Sequence, residues 1–222
     1  MNTTVDTIQT QSQMFFDIGA NVGAWALENI NYCDKIVSVE ASPITYNTLK
    51  SNCDSSNITV LNYAVTNSEE EYITFYHAHC DVLSTTNIRA FTNPDSRFYN
   101  YCPYQTMQAK TITLDRLIEQ YGLPDLLKID VESAEFECIS SLSQKVETLC
   151  FEWAAETHDI TFKCLKYLNE TLGYTRFFIQ FGDNYTFRPK EDDYVDYHTI
   201  LHRLIQIRRA PNEKDWGMIW CK

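Results

Sequence analysis

The sequence lacks several features that would settle its class at once. Its eight cysteines contain no CxxC pair, no apolar run is long enough to cross a membrane, and no glycine-rich turn ends in GK[ST]. The first absence removes the usual zinc and redox signatures, the second a transmembrane helix, and the third a P-loop. Glycine and proline are scarce, six of each in 222 residues, which excludes collagen-like and low-complexity chains. Positive charge is scarce too. Eighteen Lys and Arg face thirty Asp and Glu, for a formal net charge of −12, and no basic stripe relieves it. A nucleic-acid backbone is bound chiefly by Lys and Arg, so a nucleic-acid partner is not expected. The polar N-terminus has no signal-peptide core, so reduced thiols in a cytoplasmic protein with no membrane partner are expected.

What is present is a packed α/β pattern. The chain is 44% hydrophobic and 14% aromatic, enough for one domain spanning 1–222 with a sizeable core. After a loose lead-in over 1–13, "MFFDI" predicts a first strand, a glycine turn follows, and a helix runs over about 23–31. "KIVSVE", "SPITYNTLKSNC" and "ITVLNYAV" then predict a strand, a helix begun by Pro43 and a third strand. This alternation implies βαβ units and a parallel sheet. "EYITFYHA" reads as a fourth strand. The pattern fails over 81–108, a stretch long enough to be a lid or an acceptor-binding loop. Helices at "TLDRLIEQYG", after "VESAEFECISSL" and over 159–172 then alternate with strands at "DLLKID", "VETLCFEW", "YTRFFIQF" and "DWGMIWCK".

In an open parallel sheet, ligands bind beyond the carboxyl ends of the strands. Asp17 stands at such an end, ahead of "GANVGA". The dinucleotide fingerprint needs glycine at its second position so that the backbone can approach a pyrophosphate, and here that residue is Asn21. A pyrophosphate ligand is therefore disfavoured. Glu40, at the end of the second strand, is placed to accept hydrogen bonds from both hydroxyls of a ribose. S-adenosylmethionine (AdoMet) carries a ribose, an ammonium and a sulfonium but no phosphate, which matches acidic groups at both positions. Three more carboxylates, Asp130, Glu132 and Glu135, follow a buried strand in "KIDVESAE", and Glu152 stands at the equivalent height in "TLCFEW". Carboxylates in such places are costly unless paired or functional.

"FFDIGANVGAW", "VSVEASPITYNTLKSN", "LNYAV", "TLDRL" and "LLKIDVESAEFE", in this order, resemble the motifs of the FkbM-type methyltransferases, class I AdoMet-dependent enzymes. The resemblance covers roughly 14–156 and implies a Rossmann-like, mostly parallel seven-stranded sheet with helices on both faces. It implies that Asp17, Gly19, Ala20, Asn21 and Gly23 line the methionine and ribose, and that Glu40 and Ala41 meet the ribose and adenine edge. Asn62 and Ala64 would lie near the adenine, Ser84 would touch the cofactor, and Asp130 would stand near the methyl group. One departure is visible: Ser133 occupies a position where the family usually has glycine.

Family members mostly methylate hydroxyls of sugars or natural products, so the resemblance implies O-methylation of a small-molecule or glycan acceptor by a tailoring enzyme, of a virus or microbe that builds its own glycans. A hydroxyl must lose a proton on transfer. Asp130 is the first candidate base, with Glu132, Glu156 and His158 behind it. Asp130 and Glu152 could hold a magnesium or manganese ion, with hydrogen-bonded carboxylates as the alternative. The aromatics Phe91, Phe98, Tyr99, Tyr101 and Tyr104 of the long loop are candidates for acceptor binding or for a hydrophobic cap. Protein and RNA acceptors and a non-catalytic AdoMet-binding domain are the competing functions. No NPPY or DPPY follows the fourth strand, which removes DNA amino-methylation. Two histidine groupings, His198 with His202 and His77 with Cys80, lack the further ligands zinc needs and read as structural.

Overall fold

The computed structural model describes residues 13–94, 96, 99–100, 104–209 and 215–222. Its main sheet has seven strands: β1 (Met14–Ile18), β2 (Lys35–Glu40), β3 (Ile58–Asn62), β7 (Leu126–Ile129), β8 (Thr148–Ala154), β9 (Phe177–Phe181) and β10 (Trp216–Cys221), in the order β3-β2-β1-β7-β8-β10-β9. The first five run parallel, and β10 pairs antiparallel with both β8 and β9. The order reverses between β1 and β7, and that is where a crevice opens at the strands' carboxyl ends.

Strand alternation distributes the core. Phe16, Val37, Leu127 and Phe151 face one side, where α4 (Leu114–Tyr121), α5 (Glu135–Ile139), α6 (His158–Glu170) and α7 (Tyr197–Arg209) pack. Phe15, Ile36, Leu126 and Cys150 face the other, against α1 (Ala24–Asn29) and α2 (Pro43–Asn52). Past α1, this second face is covered by Tyr185, Phe187 and Tyr194 of an irregular segment instead of another helix. The element starts follow from local chemistry. Ser42 caps α2 by accepting from Thr45 N with Pro43 at the first helical position, and Thr113 caps α4 by accepting from Arg116 N.

Three expectations change. "ITVLNYAV" is two strands, because Asn62 Nδ2 donates to the carbonyls of Glu40 (2.8 Å) and Ala41 (3.1 Å) and ends the pairing with β2. Its second part, β4 (Ala64–Val65), joins a separate three-stranded sheet with β5 (Tyr72–Ala78) and β6 (Tyr104–Ile112) in the order β4-β6-β5. β6 begins inside the stretch read as a loop. Its sequence, YQTMQAKTI, is too polar to show apolar alternation, and it is held instead by a seven-residue antiparallel ladder to β5. The stretch 81–108 also holds α3 (Arg89–Thr92) and a 3-10 turn at Asp81–Leu83.

Candidate active site

A cavity of about 400 Å³ lies over the carboxyl ends of β1, β2, β7 and β8. Its floor is the turn after β1. Gly19 has φ +73, and a Cβ there would stand 1.7 Å from the Asp130 carbonyl oxygen, so no other residue fits. Asn21 also has positive φ, which asparagine tolerates. Gly23 serves packing: a Cβ would meet Cys53 Sγ at 2.4 Å and Leu49 Cδ1 at 2.9 Å, so its absence lets α1 approach α2.

Glu40 is buried at the cavity wall. Its Oε2 accepts from Asn21 N (3.0 Å) and its Oε1 from Ser42 N (2.8 Å). One bond to each oxygen leaves lone pairs on both for a further donor pair. Burial pushes its carboxyl up to about 7, against the pull of those two amides and of Lys128. Beyond Glu40, Ala41, Ala64, Phe75 and Leu83 make an apolar end, with Ser84 beside them. Ser84 Oγ accepts from Ala78 N at 3.0 Å, which ties the 3-10 turn to β5.

At the opposite end stand Asp130, Glu132 and Glu152, whose carboxylate oxygens lie within 4.8 Å of one another. Burial, reinforced by Glu132, Asp130 and Glu135 and by a hydrogen bond to Asp130, raises the Glu152 carboxyl well above the usual range. Glu135 lies behind this group, buried, accepting from Val131 N at 3.3 Å, and is pushed to about 8 mainly by burial. The positive charge among them is Lys128, whose Nζ is 3.0 Å from Asp17 Oδ1, 3.5 Å from Asp130 Oδ2 and 2.9 Å from the Gly19 carbonyl oxygen it donates to. Burial alone would lower the Lys128 ammonium, but Asp17 and Asp130 outweigh it and the net shift is upward.

The structure therefore brings together Gly19, Ala20, Asn21, Glu40, Ala41, Ala64, Ser84, Asp130 and Glu132 of the expected site, with Glu152. Three expected contacts stand behind the wall. Asp17 is fully buried with its carboxylate against Lys128, Gly23 packs on α2, and Asn62 pins the β2 end from below. Neither Asp17 oxygen makes a well-angled hydrogen bond, so the contact with Lys128 is its compensation. His158, at the start of α6, lies outside the cavity with Nδ1 3.1 Å from the Ala155 carbonyl oxygen, and Glu156 is in the adjoining 3-10 turn. His77 Nδ1 contacts Ser42 Oγ at 3.1 Å, while His202 sits exposed on α7 beside Gln206.

The described loop aromatics, Phe91, Tyr99 and Tyr104, do not line the cavity. Phe91 is buried with Ala78 and Leu83 and stacks on Tyr104 at 5.0 Å, and Tyr104 meets Tyr76 edge-on at 5.5 Å. They cap the small sheet. Phe98 and Tyr101 lie outside the described residues. The cavity instead takes aromatic surface from Trp25, Tyr63, Tyr185 and Trp216. Tyr185, Trp216 and Asp183 were not legible as site residues, because nothing in their local sequence marks them and only the sheet order brings their segments to the crevice.

The FkbM methyltransferase domain model matches residues 17–188, from the β1 carboxylate to the segment that covers the second sheet face. The chain belongs to the FkbM methyltransferase family. No curated protein matches the sequence significantly. Among solved structures, precorrin-6y C5,15-methyltransferase from Geobacter metallireducens GS-15 is similar at 12% identity and a TM-score of 0.50, over 96% of this chain and 82% of that one. The C-terminal domain of precorrin-6Y C5,15-methyltransferase from Rhodobacter capsulatus is similar at 11% identity and a TM-score of 0.41, over 95% and 80%. The plantazolicin methyltransferase BpumL, solved in complex with a triazolic desmethylPZN analogue and SAH (S-adenosylhomocysteine), is similar at 9% identity and a TM-score of 0.40, over 97% and 78%. At 0.50, the first of these likenesses shows a shared fold. In this methyltransferase, no helix among the described residues is long and apolar enough to cross a membrane.

Proposed function

We propose that the chain is an AdoMet-dependent O-methyltransferase acting on a hydroxyl of a sugar or glycan. The observation that carries the cofactor is Glu40: a buried carboxylate that lines the cavity and whose two oxygens each accept one backbone amide, leaving acceptor capacity on both, in a cavity that also has apolar residues and further carboxylates. Such a site suits a ribose between an adenine and a cationic chain, and the carboxylate end opposes a phosphorylated cofactor. Glu40 would hold the ribose, Ala41, Ala64, Phe75 and Leu83 would enclose the adenine, and Gly19 to Asn21 would pass beneath the amino-acid portion. When bound, AdoMet supplies an electrophilic methyl group.

The remaining work belongs to the protein. Asp130 is the acidic side chain that projects from the end of β7 into the cavity, and it takes the acceptor's proton. Lys128 stands 3.5 Å from Asp130 and holds its carboxylate in place. Trp216 and Tyr185 offer flat faces of the kind that stack on the apolar side of a sugar ring. Calorimetry with AdoMet and SAH tests the cofactor, and no binding to the folded protein would reject it. Mass-spectrometric screening of methyl transfer to deoxysugars and oligosaccharides tests the acceptor, and methylation confined to amines would reject the hydroxyl assignment.

A further inference from the structure

With Asp17 committed to Lys128, the acidic counterpart for a cationic cofactor has to come from elsewhere. Asp183 and Tyr185 line the same cavity as Asp130, and both belong to the irregular segment after β9. Asp183 lies in the field of Asp130 and Lys128, whereas Glu40 lies in that of Lys128 and Asp17. Glu40, Lys128, Asp130 and Asp183 thus line one cavity.

The segment is fixed to an unusual degree for irregular chain. Buried Gln180 donates from Nε2 to the carbonyls of Gly182 (3.2 Å) and Asn184 (3.4 Å), and its own Oε1 accepts from Trp220 Nε1 (2.8 Å). Asn29, fully buried at the end of α1, donates to the Tyr185 carbonyl at 3.1 Å. Arg188 donates from Nη1 to the carbonyls of Tyr185 (3.2 Å) and Phe187 (2.7 Å), and from Nη2 to Asn29 Oδ1. Its guanidinium lies 5.3 Å from the Trp220 ring, 5.8 Å from Phe15 and 6.0 Å from Trp25. Among the described residues Arg188 has no carboxylate partner. A guanidinium held by three rings and three oxygens, without an anion, is an anchor for the segment rather than half of an ion pair.

We propose that residues 182–188 form a preset cover over the amino-acid end of the cofactor, in which Asp183 receives the cofactor's ammonium and Arg188 is the positioning residue that holds Asp183 and Tyr185 in place. This rests on the AdoMet reading above. It separates two parts of one cavity: adenosine recognition by Glu40 and its neighbours, and amino-acid recognition by the cover.

Two ligands divide those parts. SAH carries the amino-acid chain, and 5′-methylthioadenosine has the same adenosine and a thioether without it. In calorimetry, Asp183→Asn is expected to weaken SAH by about tenfold or more, the value of a charge-assisted hydrogen bond, and to leave 5′-methylthioadenosine unchanged. Arg188→Lys keeps the charge but not the fork, and is expected to show the same split, with thermal melting reporting any loss of fold. If Asp183→Asn binds SAH as the wild type does, or loses both ligands equally, the assignment is overturned. The same holds if only the acceptor's KM rises. A wild type that binds neither ligand overturns the AdoMet reading itself, and the cover's role with it.

Discussion

Lys128 Nζ lies 3.0 Å from Asp17 Oδ1 inside the sheet, with both side chains almost wholly removed from water. The residue expected to greet a cationic ligand thus neutralises an internal lysine, and Lys128 in turn reaches Asp130 and the Gly19 carbonyl. Asp17 acts on the site at one remove, by fixing the group that fixes the turn.

Asp17→Asn is therefore expected to cost stability first. Removing one partner of a buried ion pair costs about 3 kcal/mol or more, because the other charge is left behind. Asp130 and the Gly19 carbonyl retain part of the compensation, so the lower end of that range is expected. Denaturant unfolding of wild type and variant measures it, and an unchanged midpoint would mean that Lys128 is satisfied without Asp17.

Ser133 offers a gain instead. Ser133 has φ +71 and follows Glu132 at φ +53, so two successive side-chain-bearing residues occupy the left-handed region. Ser133 does not cap α5: that position falls to Ala134, and the strain is held by Asn87 Nδ2 donating to the Ser133 carbonyl (2.7 Å) and Thr85 Oγ1 to the Glu132 carbonyl. Ser133→Gly restores the residue the family resemblance leads one to expect. It should stabilise the fold by about 1 kcal/mol, the left-handed penalty of an L-residue. A melting temperature equal to or below the wild type's would show that the turn's conformation carries no such cost.

The main sheet was legible in the sequence because β1, β2, β7 and β8 are largely apolar runs with a carboxylate at or near the carboxyl end, the pattern expected of strands covered on both faces in a parallel sheet. Glu40 and Asp130 were legible because each follows an apolar run at the carboxyl end of its strand, where the crevice opens, whereas Asp17, one residue inside β1, is buried against Lys128. The small sheet was not: β6 is polar, and pairing with β5 rather than burial defines it. Asp183 and Tyr185 were hidden because the antiparallel insertion of β10 between β8 and β9 decides which turns reach the crevice, and that is a property of strand order. Asp17 looked like a ligand-facing acid because its lysine partner is distant in sequence.

The Glu40 carboxyl gives a pH dependence. It ionises at about 7 in the folded chain against an ordinary 4.5. Between those values the folded state holds a proton that the unfolded state has lost, so this group's contribution to stability falls as pH rises from 4.5 to 7 and is constant above. With the proposed ribose hydroxyls donating to the carboxylate, cofactor affinity is expected to run the other way and rise across the upper part of that window, by at most about tenfold per pH unit. Calorimetry with SAH at pH 5.5 and 8, repeated on Glu40→Gln, checks both signs. The variant should bind weakly with a flattened profile, and a wild type whose affinity is level across the window would remove Glu40 from the ribose.

In the proposed reaction, the acidic end takes the acceptor's proton. Asp130, Glu132 and Glu152 are close enough to share a divalent ion, yet Lys128 already stands 3.5 Å from Asp130 and offsets its charge. A carboxylate already facing an ammonium is placed to take up a proton, whereas a magnesium site is built from several carboxylates aimed at one ion. Asp130→Asn is accordingly expected to lower turnover by about 100-fold or more while SAH affinity stays within a few fold, as the loss of a general base does. Excess chelator should leave the wild-type rate intact. Activity lost to chelator and restored by magnesium or manganese would instead assign Asp130 and Glu152 to a metal, and full turnover in Asp130→Asn would transfer the base to Glu152 or Glu132.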